Sequence, residues 1–302
     1  MEDTAARCFE EIKTAAANGV KLWNRNLYGP ILLVNPATRI IYANYADTGA
    51  VLKKTGNLFS GKLPEEINIA NTSIKWNGRN WAMVMLPLPV LKKDRVSLLA
   101  HELFHRQQES LDLAILNTDN NHLDKKDGRI YLRLELEALK KAVSAGSPAD
   151  AKPFLTDALS FRKYRRSLYA GSDSTENNLE LNEGLAEFTG LLISGRNRKE
   201  SILHFNESIS RFLLNPTFVR SFAYETIPVY GYLLHQRRPY WNKTVKKNTH
   251  LTDRFIREFG IMLNSNLAET VQLMAKKYGL QSIMAEETAR EEKINELIKA
   301  YK

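Results

Sequence analysis

Ser97-Leu98-Leu99-Ala100-His101-Glu102-Leu103-Phe104-His105-Arg106-Gln107 contains a His-Glu-x-x-His core, and the chain around it is read outward from there. In a helix, residues four apart lie one turn apart on the same face, so His101 and His105 can grip a single metal ion. Two neutral imidazoles suit zinc, which takes tetrahedral geometry and, in catalytic sites, keeps one position for water beside three protein ligands. Glu102 directly follows the first histidine, so its carboxylate stands beside the metal and can take a proton from a bound water. Val96, Leu98, Leu99, Leu103 and Phe104 make the surrounding helix apolar, which sets the histidines at the inner wall of a folded body.

The 302 residues are 43% hydrophobic and 25% charged, enough to bury a sizeable core as one large domain or two intimately joined ones. Cys8 is the only cysteine, which excludes an intramolecular disulfide framework and a cysteine-based zinc cluster. No apolar run is long enough to span a membrane. Met1-Glu2-Asp3-Thr4 has neither a basic n-region nor an apolar h-region, so the expectation is a chain without an export signal, cytoplasmic by default and extracytoplasmic if a signal has been removed. The net charge of +9 gathers in Arg162-Lys163-Tyr164-Arg165-Arg166, Arg196-Asn197-Arg198-Lys199 and Lys243-Thr244-Val245-Lys246-Lys247. No nucleic-acid motif accompanies these runs, so they read as solvated helix faces and loops, and no nucleic-acid partner is expected.

Upstream of the motif, residues 4–25 have the apolar spacing of an amphipathic helix. Ile31-Leu32-Leu33-Val34 and Ile40-Ile41-Tyr42-Ala43 flank the turn residues Asn35-Pro36-Ala37-Thr38-Arg39 and predict a hairpin. The polar stretch Asp47 to Glu66 reads as loop. Asn77-Gly78 predicts a second hairpin between 67–76 and 79–86, because both turn positions need positive φ. Trp81 to Leu86 is apolar on both faces and stops at Pro87. Strands leading directly into a His-Glu-x-x-His helix place a sheet edge beside the cleft, where an extended peptide can add as a strand.

Beyond Ile115 the pattern is helical. A polar loop from Asn117 to Gly128 carries His122, which reads as a turn residue or an outer contact rather than a ligand. Helices follow over Arg129–Ala145, with Glu135 and Glu137 as polar contacts, and over Ala151–Tyr169. Leu179-Glu180-Leu181-Asn182-Glu183-Gly184-Leu185-Ala186-Glu187-Phe188-Thr189-Gly190 then sets Glu183 and Glu187 one turn apart on an otherwise apolar helix. Two carboxylates there are costly to bury unless a cation or hydrogen bonds receive them, so they are the candidates for the third ligand; an exposed acidic face is the alternative. Ser221 to Tyr232 reads as a tyrosine-rich helix kinked or broken at Pro228, and amphipathic segments from Asp253 onward read as closing helices.

His101-Glu102-x-x-His105 with the later Asn182-Glu183-Gly184-x-Ala186-Glu187 resembles the gluzincin branch of zinc metallopeptidases, the thermolysin-like and alanyl-aminopeptidase-like families. The resemblance covers residues 67–193 and implies that Glu183 is the third zinc ligand. It also implies a tyrosine or histidine that stabilises the oxyanion; Tyr230 or Tyr232 could serve, or either could be a packed core tyrosine. Residues 106–178 would then be an insertion or extra helices between the ligand helices. Metzincins are a poor fit, because Gln108 and Leu111 stand where that branch has Gly and His. Glu187, one turn from Glu183, is placed to accept the second ring N–H of His101 or His105.

The expectation is one α+β, zincin-like domain over residues 1–302: an N-terminal helix and small β-sheet in 1–92, then the zinc helix and a mostly helical portion in 93–302. Its expected activity is that of a Zn2+-dependent peptidase acting on a peptide or protein substrate, with Glu102 as general base. The alternative is a catalytically silent, zinc-stabilised binding protein, which would have no need of a base beside the metal.

Overall fold

The computed structural model describes residues 2–113 and 118–300; the start of the polar loop at Asn117 lies outside them. In chain order the elements are α1 (Glu2–Asn18), α2 (Val20–Trp23), β1 (Ile31–Val34), β2 (Ile40–Ala43), β3 (Lys53–Thr55), β4 (Leu58–Lys62), β5 (Thr72–Trp76), β6 (Arg79–Met85) and α3 (Lys92–Gln107). After them come α4 (Lys126–Ser144), α5 (Pro148–Ser167), α6 (Ser172–Leu179), a π turn (Glu180–Gly184), α7 (Leu185–Ile193) and α8 (Arg198–Phe212). The chain finishes with α9 (Ala223–Arg237), α10 (Leu251–Phe259), α11 (Leu267–Ala275) and α12 (Leu280–Ala300). The class is α+β. No helix among the described residues is long and apolar enough to cross a membrane.

The chain divides into two compact units. The first takes residues 1–114, 185–197 and 240–247; the second takes 115–184, 198–239 and 248–302. The chain passes from the second to the first at Gly184–Leu185, within one helical run.

The first unit is built on a six-stranded sheet of order β3-β4-β2-β1-β6-β5. Only the β1–β6 pair is parallel, with Leu32 beside Met83. Both strands are apolar on both faces because both faces are covered. Leu32, Val34, Ile41, Ala43, Trp81 and Met83 point to one side and pack with Leu52 and Leu63, while Ile31, Leu33, Ala82 and Val84, which alternate with them, are equally buried. The β5–β6 turn has Asn77 and Gly78 at φ of +43° and +73°, as a two-residue hairpin requires. α3 lies against β5 and β6, and α1 packs on α3. The buried Arg95 of α3 fixes that contact, its guanidinium donating to both carboxylate oxygens of Glu11.

Two expectations are corrected. The stretch read as loop between Asp47 and Glu66 holds the antiparallel pair β3–β4, which extends the sheet past β2. Its residues are polar because β3 is an edge strand, where lysines discourage further pairing. Of the two outcomes expected at Pro228, kink or break, the break is excluded: α9 runs from Ala223 to Arg237 with Pro228 inside it. Nearly every residue from Glu225 to Leu234 is buried, and that packing holds the helix on both sides of the missing backbone bond.

Candidate metal centre

α3 and α7 pack side by side in the first unit, at a distance set by Gly190. A Cβ on Gly190 would stand 2.5 Å from the carbonyl oxygen of Ser97, so only glycine lets α7 approach the backbone of α3 this closely. Trp23 reinforces the contact, donating its indole N–H to Thr189 Oγ1 at 3.0 Å and packing its ring tilted against Phe104 at 5.1 Å. The approach brings the Glu187 carboxylate within 2.9 Å of His101 Nδ1. One turn along α3, Nδ1 of His105 is 2.8 Å from Gln108 Oε1.

These outer contacts assign the protons. An ionised carboxylate can only accept, so Nδ1 of His101 carries the hydrogen, and the Gln108 carbonyl oxygen places the hydrogen of His105 on its Nδ1 as well. With both Nδ1 atoms turned to these acceptors, the two Nε2 atoms face each other at 2.9 Å. A contact that short is favourable only with a proton or a cation between the two nitrogens.

Glu183 supplies a third donor. His101, His105 and Glu183 each offer one ligand atom, all within 4.8 Å of one another, and the group can hold a metal ion. Glu183 stands in the π turn, a rare conformation frequent at functional sites. Its carboxylate is itself oriented: Tyr224 donates to Oε2 at 2.5 Å and Asn182 to Oε1 at 3.1 Å. Gly184 permits that turn to lie against α9, since a Cβ there would meet Cβ of Ile227 at 2.6 Å. Two imidazoles and a carboxylate match zinc, and the same nitrogen and oxygen donors accept other divalent transition metals. Glu102, only 4% exposed, occupies α3 directly after His101.

The tyrosines named from the sequence lie elsewhere in contact terms. Tyr230 is fully buried, with its hydroxyl donating to Glu135 at 3.1 Å and its ring stacked on Phe255. Burial first, and the Glu135 carboxylate second, push that hydroxyl well above the usual tyrosine pKa. Tyr232 packs its ring against Phe205. His122 bonds Glu176 through Nε2 at 2.8 Å.

The basic run at residues 162–166, read from the sequence as a solvated face, is in large part interior. Arg162, Arg165 and Arg166 are buried and meet three equally buried glutamates, Glu135, Glu176 and Glu180. Burial alone would raise the Glu135 and Glu176 carboxyls, but the arginines outweigh it and hold both below the usual range, Glu176 far below. Sequence reading missed this network because its partners are separated by up to 30 residues. It also missed Tyr224 and Gln108; the latter's i, i+3 spacing from His105 was the available signal. No family model, curated protein or solved structure matches the chain.

Proposed function

We propose that this protein is a zinc-dependent metallohydrolase of zincin-like fold, and that it cleaves peptide bonds in peptide or protein substrates. One observation carries the reading. The outer contacts of His101 and His105 turn both Nε2 atoms toward each other, with the Glu183 carboxylate beside them, and two imidazole nitrogens and a carboxylate gathered in this way are a donor set suited to a cation. The gluzincin-like order of the ligand motifs points the same way.

Bound zinc supplies a Lewis acid and a water acidic enough to act as a nucleophile near neutral pH. The chain's own groups do the rest. Glu102, next to a ligand yet not one of the three donors, accepts the proton of the attacking water and returns it to the leaving amine. Glu187 holds His101 in the tautomer that ligates, and Gln108 does so for His105. Tyr224 and Asn182 orient Glu183.

Elemental analysis of purified protein, followed by digestion of a peptide library with and without chelator, tests the proposal. About one zinc per chain and chelator-sensitive cleavage are expected. A stoichiometric metal with no hydrolysis across broad libraries would favour the silent binding protein instead.

A further inference from the structure

In an unbroken α-helix, Glu180, Glu183 and Glu187 follow i, i+3, i+7 spacing and would line a single face. Here they serve three different partners. Glu187 meets His101 of α3, Glu183 meets Tyr224 of α9, and Glu180 is sunk among arginines. The π turn from Glu180 to Gly184 separates the three directions, because its wider winding shifts every residue after it relative to those before.

Such a turn is less favourable than regular helix, so something must hold it. Glu180 is fully buried, and its carboxylate accepts four hydrogen bonds. Two come from Arg162 at 2.9 and 2.7 Å, one from Arg166 at 2.9 Å, and one from the Thr226 hydroxyl at 2.8 Å. Arg162 is itself fixed, donating to Glu135 at 2.7 Å and lying over the Tyr230 ring. Thr226 sits on α9 between Tyr224 and the Ile227 contact that admits no side chain at Gly184. The first turn of α9 thus grips the π turn at Glu180, Glu183 and Gly184 together.

We propose that Glu180 is the positioning residue for the Glu183 ligand: its anchorage on Arg162, Arg166 and Thr226 locks the π turn in the register that presents Glu183 to the metal. This inference rests on the metal-centre reading above. It assigns the buried arginines a role in metal binding through geometry rather than through their charge.

The test uses full-length protein with Glu180→Gln, Thr226→Val and Glu183→Ala. Each variant is checked for folding by thermal unfolding without metal, titrated with zinc against a competitive chelator, and loaded with Co2+ to saturation for its visible spectrum, which reports coordination number and geometry. Glu183→Ala should lose tight binding. Glu180→Gln should weaken zinc roughly 10- to 100-fold, the usual effect of losing a partner that orients a ligand, and should alter the Co2+ spectrum even at saturation. Thr226→Val, which leaves the ion pairs in place, should weaken zinc on the order of fivefold, the equivalent of one hydrogen bond.

A folded Glu180→Gln protein with wild-type affinity and spectrum, beside a Glu183→Ala protein that has lost the metal, overturns the positioning role alone. Wild-type affinity in Glu183→Ala overturns the metal centre and the positioning role together. Should Glu180→Gln fail to fold, Thr226→Val decides: unchanged affinity and spectrum in that variant overturn the positioning role.

Discussion

Gly190→Ala is the sharpest probe of how α7 serves the proposed metal centre, because two opposed effects can be weighed. The added Cβ would lie 2.5 Å from the Ser97 carbonyl oxygen and 3.2 Å from its carbon. Those are backbone atoms of α3 and cannot rotate away, so reaching the ordinary 3.4 Å contact requires the two helices to part by roughly 0.9 Å. Alanine favours a helix interior over glycine by about 1 kcal/mol. Overpacking a tight contact costs about 1–3 kcal/mol. The net expectation is a loss of up to about 2 kcal/mol in the metal-free protein, because packing costs at least as much as the helix propensity returns. Parting the helices also stretches the 2.9 Å contact between Glu187 and His101 beyond hydrogen-bonding range, and loss of that partner lowers metal affinity roughly 10- to 100-fold. Urea unfolding of the metal-free protein and chelator competition on the same samples measure both quantities. Unchanged stability with unchanged affinity would refute the reasoning, since it would mean that α3 and α7 are not held at this separation.

Glu102→Gln should keep the metal and the fold while losing roughly two or more orders of magnitude in peptide hydrolysis, read by single-turnover assays; wild-type turnover rejects Glu102 as the base. In chelator titrations Glu183→Ala should lose tight binding and Glu187→Ala only weaken it, and the reverse order would make Glu187 the ligand. Arg165→Met leaves Glu135 and Glu176 short of a partner in the interior and should destabilise the protein by about 3–5 kcal/mol in urea unfolding. Because the folded-state pKa values of Glu135 and Glu176 lie below the unfolded value, the stability they contribute is present above the ordinary carboxylate range. That contribution is lost only as pH falls through the depressed values, so Arg165→Met should move the acid-unfolding midpoint upward, and an unmoved midpoint would count against the network.

What could be read from the sequence depended on whether the deciding interaction was local. The β5–β6 hairpin is announced by Asn77-Gly78, since the turn's positive φ values are a property of two adjacent residues. His101 and His105 were equally plain, their spacing being that of one helical turn. β3 and β4 were not, because Lys53, Lys54, Ser60 and Lys62 lie toward a sheet edge and carry little of the apolar alternation that marks a half-buried strand. The arginines at 162, 165 and 166 looked solvated because a charge run is read by its neighbours, whereas their fate was settled by Glu135, Glu176 and Glu180 on other helices. Tyr224 was passed over for Tyr230 for the same reason. A hydroxyl's partner is a tertiary fact, and a contact 41 residues away in sequence leaves no mark on the local pattern.

The interleaving of the two units bears on how the chain is made. On a ribosome the sheet and α3 emerge early, but the segment that brings Glu187 to His101 follows 86 residues later. The last piece of the same unit comes later still: Asn242 donates to the Leu22 carbonyl at 2.7 Å, and Trp241 packs on Phe188. An N-terminal half released from synthesis at residue 184 would therefore hold neither unit entire. Domain-by-domain maturation during translation is closed to this protein, and its nascent histidine helix must wait for most of the polypeptide before its tautomers are set.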